Sequence, residues 1–157
     1  MPVPLNCLKK PAIQPLDNQA LLTRAMQLPA EGTIALSTNK LSYLKIDNDW
    51  VHALYPYLAN QGIQKPNYFH NDAIGAHISV IYPEENTWIN EAECNKPHRF
   101  NPTQLVKATI GMKNYYVLLI EAKALSVART KLGLAEWLNF KGYAIPFHIT
   151  IGVEKLT

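Results

Sequence analysis

Apolar and polar positions alternate in the segment GAHISVIY, as they do in a β-strand whose two faces differ. Strand periodicity places Ile78, Val80 and Tyr82 on one face and His77 and Ser79 on the other. The segment therefore predicts a strand that packs its aliphatic face into a core and directs an imidazole and a hydroxyl the opposite way.

The segment PFHITIGV, further along the chain, has the same pattern. Ile149, Ile151 and Val153 share one predicted face, and His148 and Thr150 share the other. Two such strands, packed about a pseudo-twofold axis, would line one cleft with two imidazoles and two hydroxyls. The alternative is that they are two separate core strands, each of which happens to carry a histidine.

Helical periodicity is present in LDNQALLTRAMQLP, which predicts a helix capped by Asp17 or Asn18 and ended by Pro29. The segment NDWVHALYPYLANQG predicts a second helix, with Asn48 as its cap and its final glycine as its stop. Pro56 lies inside this segment, and we expect it to kink or restart the helix.

Two hairpins are predicted from runs of β-forming residues around turn-forming ones. TIALSTNKLSYLKID turns at residues 38–40, and TQLVKATIGMKNYYVLLIEA turns at residues 113–114. The start of the second hairpin is ambiguous, because Asn101 followed by proline could instead begin a short helix. Apolar residues at steps of three and four in LSVARTKLGLAEWLNFKG predict a third helix, ended by Gly142.

Each half of the chain thus has the order hairpin, helix, histidine strand, which predicts a fold of the α+β class. We expect a bilobal architecture with two pseudo-symmetric strand-strand-helix-strand halves around a central cleft. The whole chain, 1–157, is predicted to be a single domain. Residues 1–30 form an extended arm and a helix, residues 31–90 the first lobe, and residues 91–157 the second.

Composition narrows the class of protein further. The chain is 48% hydrophobic and 17% charged with a formal net charge of +3, which is ordinary for a globular domain and too weakly basic for a dedicated nucleic-acid binder. Cys7 and Cys94 form no CxxC, so we expect neither a disulfide framework nor a zinc site. Prolines interrupt the N-terminus, and no apolar run could span a bilayer, which predicts a cytoplasmic monomer without a membrane partner.

Histidine is the residue type that acid–base chemistry at a phosphodiester requires, because its pKa lies near neutrality. One of His77 and His148 can take a proton from an attacking oxygen while the other protonates the leaving oxygen. The hydroxyls of Ser79 and Thr150 can donate to phosphate oxygens. The sequence has no carboxylate cluster or HExxH motif near either histidine, so we expect no metal and no other cofactor.

The spaced pair HISV and HITI, each within a strand of a small chain, resembles the two signature motifs of the 2H phosphoesterase superfamily. The superfamily includes 2′-5′ RNA ligase-like proteins and cyclic phosphodiesterases. The resemblance covers residues 33–155 and implies a bilobal α+β fold and metal-independent chemistry at a phosphodiester. It also implies that His77, Ser79, His148 and Thr150 form the catalytic set. Serine stands where threonine is commoner in the first motif, and the hydroxyl role tolerates that change.

The sequence therefore predicts a phosphodiesterase whose substrate is a nucleotide, a cyclic oligonucleotide or an RNA end. The scissile group could be a 2′,3′-cyclic phosphate, a 2′-5′ linkage or a cyclic di- or oligonucleotide. The alternative is a module of the same fold that binds or sequesters nucleotide or RNA without cleaving it.

Several other side chains could contact a ligand, although a surface or packing role is the simpler expectation for most of them. They are His52, His70, His98, Trp50, Trp88, Trp137, Tyr143, Lys45, Lys113 and Lys123.

Overall fold

The computed structural model describes residues 8–58 and 62–157, and every structural statement that follows concerns this part of the chain. Its strands are β1 (Ala12–Pro15), β2 (Glu31–Leu36), β3 (Ser42–Lys45), β4 (His77–Ile81), β5 (Pro97–Arg99), β6 (Asn101–Ile110), β7 (Lys113–Glu121), β8 (Leu138–Phe140), β9 (Tyr143–Ile145) and β10 (His148–Lys155). Its α-helices are α1 (Gln19–Ala25), α2 (Asp49–His52) and α3 (Lys123–Lys131). Short 3-10 helices cover Tyr55–Tyr57, Pro83–Glu85 and Glu91–Glu93.

Two antiparallel four-stranded sheets contain eight of the ten strands in the described part of the chain. One has the order β1-β6-β7-β10, and the other has the order β4-β3-β2-β5. Each sheet has a hairpin at its centre, β6–β7 or β2–β3, and a histidine strand, β10 or β4, at one edge. Strands β8 and β9 form a separate hairpin. The predicted α+β class is confirmed, and the pseudo-twofold relation of the halves stays a prediction.

The sheets exchange strands between distant parts of the sequence. Strand β1, from the predicted arm, pairs with β6 and completes the sheet that contains His148. Strand β5 lies within residues 91–157 but pairs with β2 in the other sheet. One hydrophobic cluster contains buried residues of both sheets, such as Ile78 and Ile149, so the two sheets share a core.

Helix α1 forms as predicted, and residues from Asn101 onward form strand β6 rather than the alternative short helix. The Asn18 side chain accepts a hydrogen bond from the Leu21 backbone N–H, which satisfies one of the free donors at the helix start. Leu21 and Ala25 are buried on the inner face of the helix.

Helix α2 is much shorter than predicted. Asn48 lies at its N-cap position, but its side chain makes no capping bond and instead accepts from the Ala76 N–H, just before β4. Pro56 restarts the chain as the 3-10 helix Tyr55–Tyr57, as expected. The predicted stop at Gly62 was wrong, because regular helix ends by residue 57; residues 59–61 of the predicted segment lie outside the described part of the chain.

Helix α3 ends at Lys131, and the prediction that it continues to Gly142 was wrong. The Gly133 N–H donates to Thr130 O and the Leu134 N–H donates to Arg129 O, the bonding pattern of a Schellman cap. Gly133 has φ +76°, which stops the helix where the apolar spacing alone would have continued it. Gly142 lies in the turn between β8 and β9.

Two smaller points complete the comparison with the sequence. The β6–β7 hairpin turns at Gly111–Met112, two residues before the predicted 113–114 turn, because Gly111 takes φ +59°. Cys94 is a half-buried free thiol, whereas Cys7 and the rest of residues 1–7 of the predicted arm lie outside the described part.

None of the helices in residues 8–58 and 62–157 has the length and apolar character needed to cross a membrane.

Candidate active site

The four residues singled out by the sequence line one pocket between the two sheets. This pocket, which we call the central pocket, has about 660 Å³ of empty space, part of which is open to solvent. Strand β4 contributes His77 and Ser79 to its wall, and strand β10 contributes His148 and Thr150. The other lining residues are Pro11, Ile13, Tyr68, Tyr82, Val106, Ala108, Ile110, Tyr115, Val117, Leu119, Phe140, Ile145 and Pro146.

A β-bulge interrupts β4 directly after Ser79. Ser79 pairs with Tyr43 and Ile81 pairs with Ser42, so Val80 is an extra residue without a partner on β3. Val80 and Ile81 are consequently both buried, and the alternation of faces resumes one residue later. The prediction that Tyr82 shares the core face was therefore wrong: Tyr82 lines the central pocket beside Ser79.

Strand β10 has a bulge at the corresponding place, directly after Thr150. Thr150 pairs with Val117 and Gly152 pairs with Tyr116, which leaves Ile151 without a partner. Ile151 and Gly152 are both buried. Val153 pairs with Tyr115, whose side chain lines the central pocket, and directly paired residues share a face of the sheet. The prediction that Val153 shares the face of Ile149 and Ile151 was therefore also wrong.

Both imidazoles are oriented in the same way by the main chain. His77 Nδ1 lies 2.8 Å from the carbonyl oxygen of Gly75, and His148 Nδ1 lies 2.9 Å from that of Pro146. Because a carbonyl can only accept, Nδ1 carries the proton in each neutral ring. The other nitrogen, Nε2, then has a free lone pair in both residues and is the atom that can exchange a proton with a ligand.

Burial lowers the pKa of both histidines. The pKa of His77 falls from 6.5 to about 4, chiefly because burial disfavours the charged ring, with a further contribution from the charge of His148. The hydrogen bond to Gly75 opposes these effects. Burial also lowers the pKa of His148, against the effect of its bond to Pro146. Both rings are therefore neutral near pH 7 when the pocket holds no anion.

Two tyrosines lie beside the motif hydroxyls. Tyr82 interacts with Ser79, and Tyr68, from the loop before β4, is within hydrogen-bonding reach of Thr150. The Tyr68 ring also packs edge-on against His77, with 4.7 Å between centroids. Burial raises the pKa of both phenols, so both are protonated at neutral pH and can act as donors. No spacing in the sequence marked Tyr68, because a loop positions it.

A buried ion pair holds the end of β4 in place. Arg129 on α3 is fully buried and forms a bidentate pair with Glu85, at 2.7 and 2.9 Å. Arg129 also donates to the carbonyl oxygen of Val80, the bulge residue, at 2.9 Å. Glu85 accepts from the Tyr82 backbone N–H. Sequence reasoning missed this pair, although a lone arginine among the apolar positions of the third predicted helix was a usable signal.

The other histidines lie away from the central pocket. His52 Nδ1 is 3.0 Å from Lys65 Nζ, and its ring packs on Phe69. His70 bonds a neighbouring carbonyl, and His98 lies in β5. Within residues 8–58 and 62–157 no group of three His, Cys, Asp or Glu side chains is placed to hold a metal ion.

The tryptophans do not line the central pocket either. Trp88, a candidate for base stacking, is 46% exposed and lies under Lys40, whose Nζ is 5.2 Å from its ring centroid. Trp50 is fully buried and donates to Pro29 O, and Trp137 is half-buried after the end of α3. Tyr143 lines a neighbouring groove.

An α+β fold in which two histidine strands face one pocket is consistent with a phosphoesterase-type enzyme. Residues 42–156 match the model of a family described as "2H-SAK: Swiss Army Knife, 2H phosphoesterase domain". The chain therefore belongs to this 2H phosphoesterase family, and the predicted superfamily is confirmed. The matched span begins in β3 and ends in β10, so it includes both histidine strands. No curated protein and no solved structure matches the chain.

Proposed function

We propose that the protein is a metal-independent phosphodiesterase in which His77 and His148 act as an acid–base pair on a nucleotide or RNA phosphodiester. The observation that carries this proposal is the equivalence of the two imidazoles. Each follows a carbonyl that binds its Nδ1, each leaves Nε2 for a ligand, and each has a hydroxyl two residues later on the same side of its strand. Two histidines that served only to pack in a core would not be expected to share all three of these features.

The proposed step balances as follows. The neutral imidazole takes a proton through Nε2 from a water or hydroxyl as its oxygen attacks phosphorus. The bond from phosphorus to the leaving oxygen breaks, and that oxygen receives the Nε2 proton of the second, protonated imidazole. With water as the nucleophile the products are a monoester and an alcohol. The two rings finish with exchanged protonation states, and proton exchange with solvent resets them.

Binding of the anionic substrate causes one of the two imidazoles to become protonated. Both imidazoles are neutral in the empty pocket because burial lowers the pKa of each. A phosphodiester anion next to one ring favours its charged form and raises its pKa. One imidazole therefore becomes protonated when the anion binds, and its Nε2 proton is available to the leaving oxygen.

The motif hydroxyls and their tyrosine neighbours are proposed to hold the phosphate. Ser79 and Thr150 can donate to the non-bridging oxygens, and these bonds strengthen as charge develops in the transition state. Tyr82 and Tyr68 are placed beside them and can orient each hydroxyl or donate directly.

The test is a panel of four substrates in the presence of EDTA: a 2′,3′-cyclic nucleotide, 2′-5′ oligoadenylate, a cyclic dinucleotide and a short RNA. His77→Ala and His148→Ala are compared with the native chain, and His98→Ala on β5 is the control. We expect turnover of at least one substrate by the native chain and a loss of at least about 100-fold in each pocket variant. The control should keep native turnover.

Two outcomes would contradict the proposal. Turnover that survives in both pocket variants would exclude histidine acid–base catalysis. Tight binding of a panel member by the native chain without any turnover would instead favour the nucleotide-binding module. Circular dichroism spectra and thermal midpoints of the variants show whether any loss of turnover comes from unfolding.

A further inference from the structure

A groove next to the central pocket is lined by three lysines. This groove, the lysine groove, has about 820 Å³ of empty space, part of which is open to solvent, and is lined in part by Lys113, Lys141 and Lys155. Ile110 and Tyr115 line both the lysine groove and the central pocket, so the two cavities adjoin along these side chains. A ligand can therefore pass from one into the other over Tyr115.

Two of the lysines face each other across neighbouring strands. Lys113 on β7 and Lys155 on β10 are direct register partners, an arrangement in which like charges cost stability. Neither these two nor Lys141 forms an ion pair with a carboxylate in the described residues. Glu84 accepts from the backbone N–H of Lys141. Folding does not benefit from this cluster of positive charge, but an anionic ligand would.

The β10 bulge puts Lys155 on the same face of the sheet as the candidate catalytic residues, beside its register partner Lys113. After the extra residue, the alternation that places Thr150 on the pocket face continues with Val153 and Lys155. Val117, the partner of Thr150, is four positions along β7 from Lys113, the partner of Lys155. The two sites are therefore about 13 Å apart along the sheet at strand rise.

Apart from the two imidazoles, the described lining of the central pocket has no group that can be a cation. Its lining residues in the described part of the chain include no lysine, arginine, aspartate or glutamate. The residues outside that part, 1–7 and 59–61, contain no lysine or arginine in the sequence. A second phosphate inside the central pocket would therefore be buried without a partner cation, which is costly. The lysine groove offers such cations at its outer end.

Aromatic rings connect the two sites. Tyr82 packs on Phe140, and Phe140 packs on Tyr115, with centroid distances of 5.1 and 6.2 Å. Lys141 Nζ lies 5.1 Å from the centroid of Phe140, the middle ring of the row, and Tyr115, an end ring, lines the lysine groove. Aromatic side chains next to positive charge are the combination that holds a base and its following phosphate in single-stranded nucleic acid sites.

We infer that Lys113, Lys141 and Lys155 bind a second phosphate of the substrate, one nucleoside or more away from the phosphodiester held at His77 and His148. The inference rests on the proposed function for the position of the scissile group. It narrows the substrate to an oligonucleotide with at least two phosphates, whose intervening nucleoside lies over Tyr115. A mononucleotide with a single cyclic phosphate would fill the central pocket and leave the lysine groove empty.

The experiment uses two ligands that share one end. Adenosine 2′,3′-cyclic phosphate has one phosphate, and the adenylyl dinucleotide that ends in the same 2′,3′-cyclic phosphate has two. The double variant Lys113→Gln/Lys155→Gln is compared with the native chain. Lys96→Gln/Lys131→Gln, called the α3 control because Lys131 lies on that helix, is the matched control: it removes the same charge from exposed positions that line neither cavity. Lys141→Gln is measured separately.

We expect the native chain to prefer the dinucleotide, and the groove double variant to lose about tenfold in kcat/KM for it, with a smaller dependence on salt. The kcat/KM for adenosine 2′,3′-cyclic phosphate should stay within about twofold of native. The α3 control should resemble the native chain with both ligands. Thermal midpoints should be unchanged or higher in the groove variant, since a like-charge pair has been removed.

Equal effects on the two ligands, or no effect of the groove variant on either, would overturn the inference. If neither ligand is turned over, calorimetric Kd values for the same two ligands decide the same question. A Kd difference that depends on the lysines would support the groove even with the proposed function disproved. Turnover that depends on the histidines but not on the lysines would support the proposed function and overturn the inference about the groove.

Discussion

The candidate catalytic groups are single residues whose chemistry is set by burial and by main-chain contacts. His77 and His148 each bind a carbonyl oxygen through Nδ1, and no described carboxylate bonds either ring. A carboxylate partner would raise the pKa of an imidazole, whereas here burial prevails and lowers it. Each ring is thus kept neutral until an anion arrives.

This lowered pKa predicts that the protein loses stability as the pH falls. The unfolded chain takes up a proton at His77 near pH 6.5, while the native chain does so only near pH 4. The contribution of His77 to the free energy of unfolding is therefore complete above pH 6.5 and is lost between pH 6.5 and 4. For His77 alone the loss is on the order of 3 kcal/mol.

Urea unfolding of the native chain and of His77→Asn between pH 8 and pH 4 measures this contribution. Carboxylates that titrate in the same range are common to both proteins, so they cancel in the difference between the two curves. We expect that difference to shrink or change sign in favour of the variant as the pH falls. Parallel curves over the whole range would show that burial does not lower the pKa of His77.

At the scale of single residues, the sequence predicted the residues that strand periodicity can identify. His77, Ser79, His148 and Thr150 were found because alternation separates them from their aliphatic neighbours. Tyr68 reaches the pocket from a loop, and Arg129 contacts Glu85 across 44 positions of sequence. Such contacts join residues that are far apart in the sequence, so the periodicity within one segment cannot predict them.

Secondary-structure elements position the site through the two β-bulges. Val80 and Ile151 each follow a motif hydroxyl and lack a partner, so each bulge changes the face of every later residue in its strand. In β4 this brings Tyr82 to the central pocket, and in β10 it brings Lys155 to the pocket side of the sheet. A bulge depends on how two strands pair, so alternation within one strand could not predict either of them.

The Arg129–Glu85 pair fixes the β4 bulge to α3, and we expect it to be sensitive to single substitutions. Arg129 donates five hydrogen bonds, to Glu85, Val80, Ala135 and Trp137. Arg129→Met would leave the Glu85 carboxylate buried without its partner, at a cost of about 3–5 kcal/mol in the free energy of unfolding.

Urea unfolding checks this expectation, with Lys131→Met on the exposed side of the same helix as the control. The double variant Arg129→Met/Glu85→Leu should recover only part of the lost stability, because it leaves no buried charge but removes the partners of three carbonyl oxygens and of the Tyr82 N–H. A loss below about 1 kcal/mol in the single variant, within the usual range of surface substitutions, would show that the pair is not important for stability.

Helix ends were the least predictable elements, for two physical reasons. The third predicted helix was extended past Gly133 because Leu132 and Leu138 continue the apolar spacing. A glycine in the left-handed region ends it regardless of that spacing. The second predicted helix stops early ahead of Pro56, which has no backbone N–H with which to continue the helical bonding. Both signals were present in the sequence.

The protein does not separate into two independent units at the boundary between the predicted lobes, residues 31–90 and 91–157. The sheet with His148 is completed by β1, the sheet with His77 by β5, and the core contains residues of both sheets. The fold class and the pair of histidine strands followed from the sequence. The exchange of edge strands did not, because β1 and β5 are too short to show a period of their own.

This exchange predicts that neither half folds alone. A fragment of residues 1–90 lacks β5 and leaves Glu85 without Arg129, and a fragment of residues 91–157 lacks β1. We expect amide proton spectra of both fragments to have the narrow dispersion of unfolded chains, whereas the full chain gives a dispersed spectrum. A dispersed spectrum from either isolated fragment would contradict the shared core.

The carbonyl bonds of the two imidazoles have a consequence for how this protein can evolve. Every residue has a main-chain carbonyl, so no side-chain substitution at Pro146 removes the acceptor that sets the tautomer of His148. The tautomer of each imidazole is thereby separated from the side chains that line the pocket. Mutations can reshape the pocket wall while the main chain continues to direct Nε2 of both rings to the ligand.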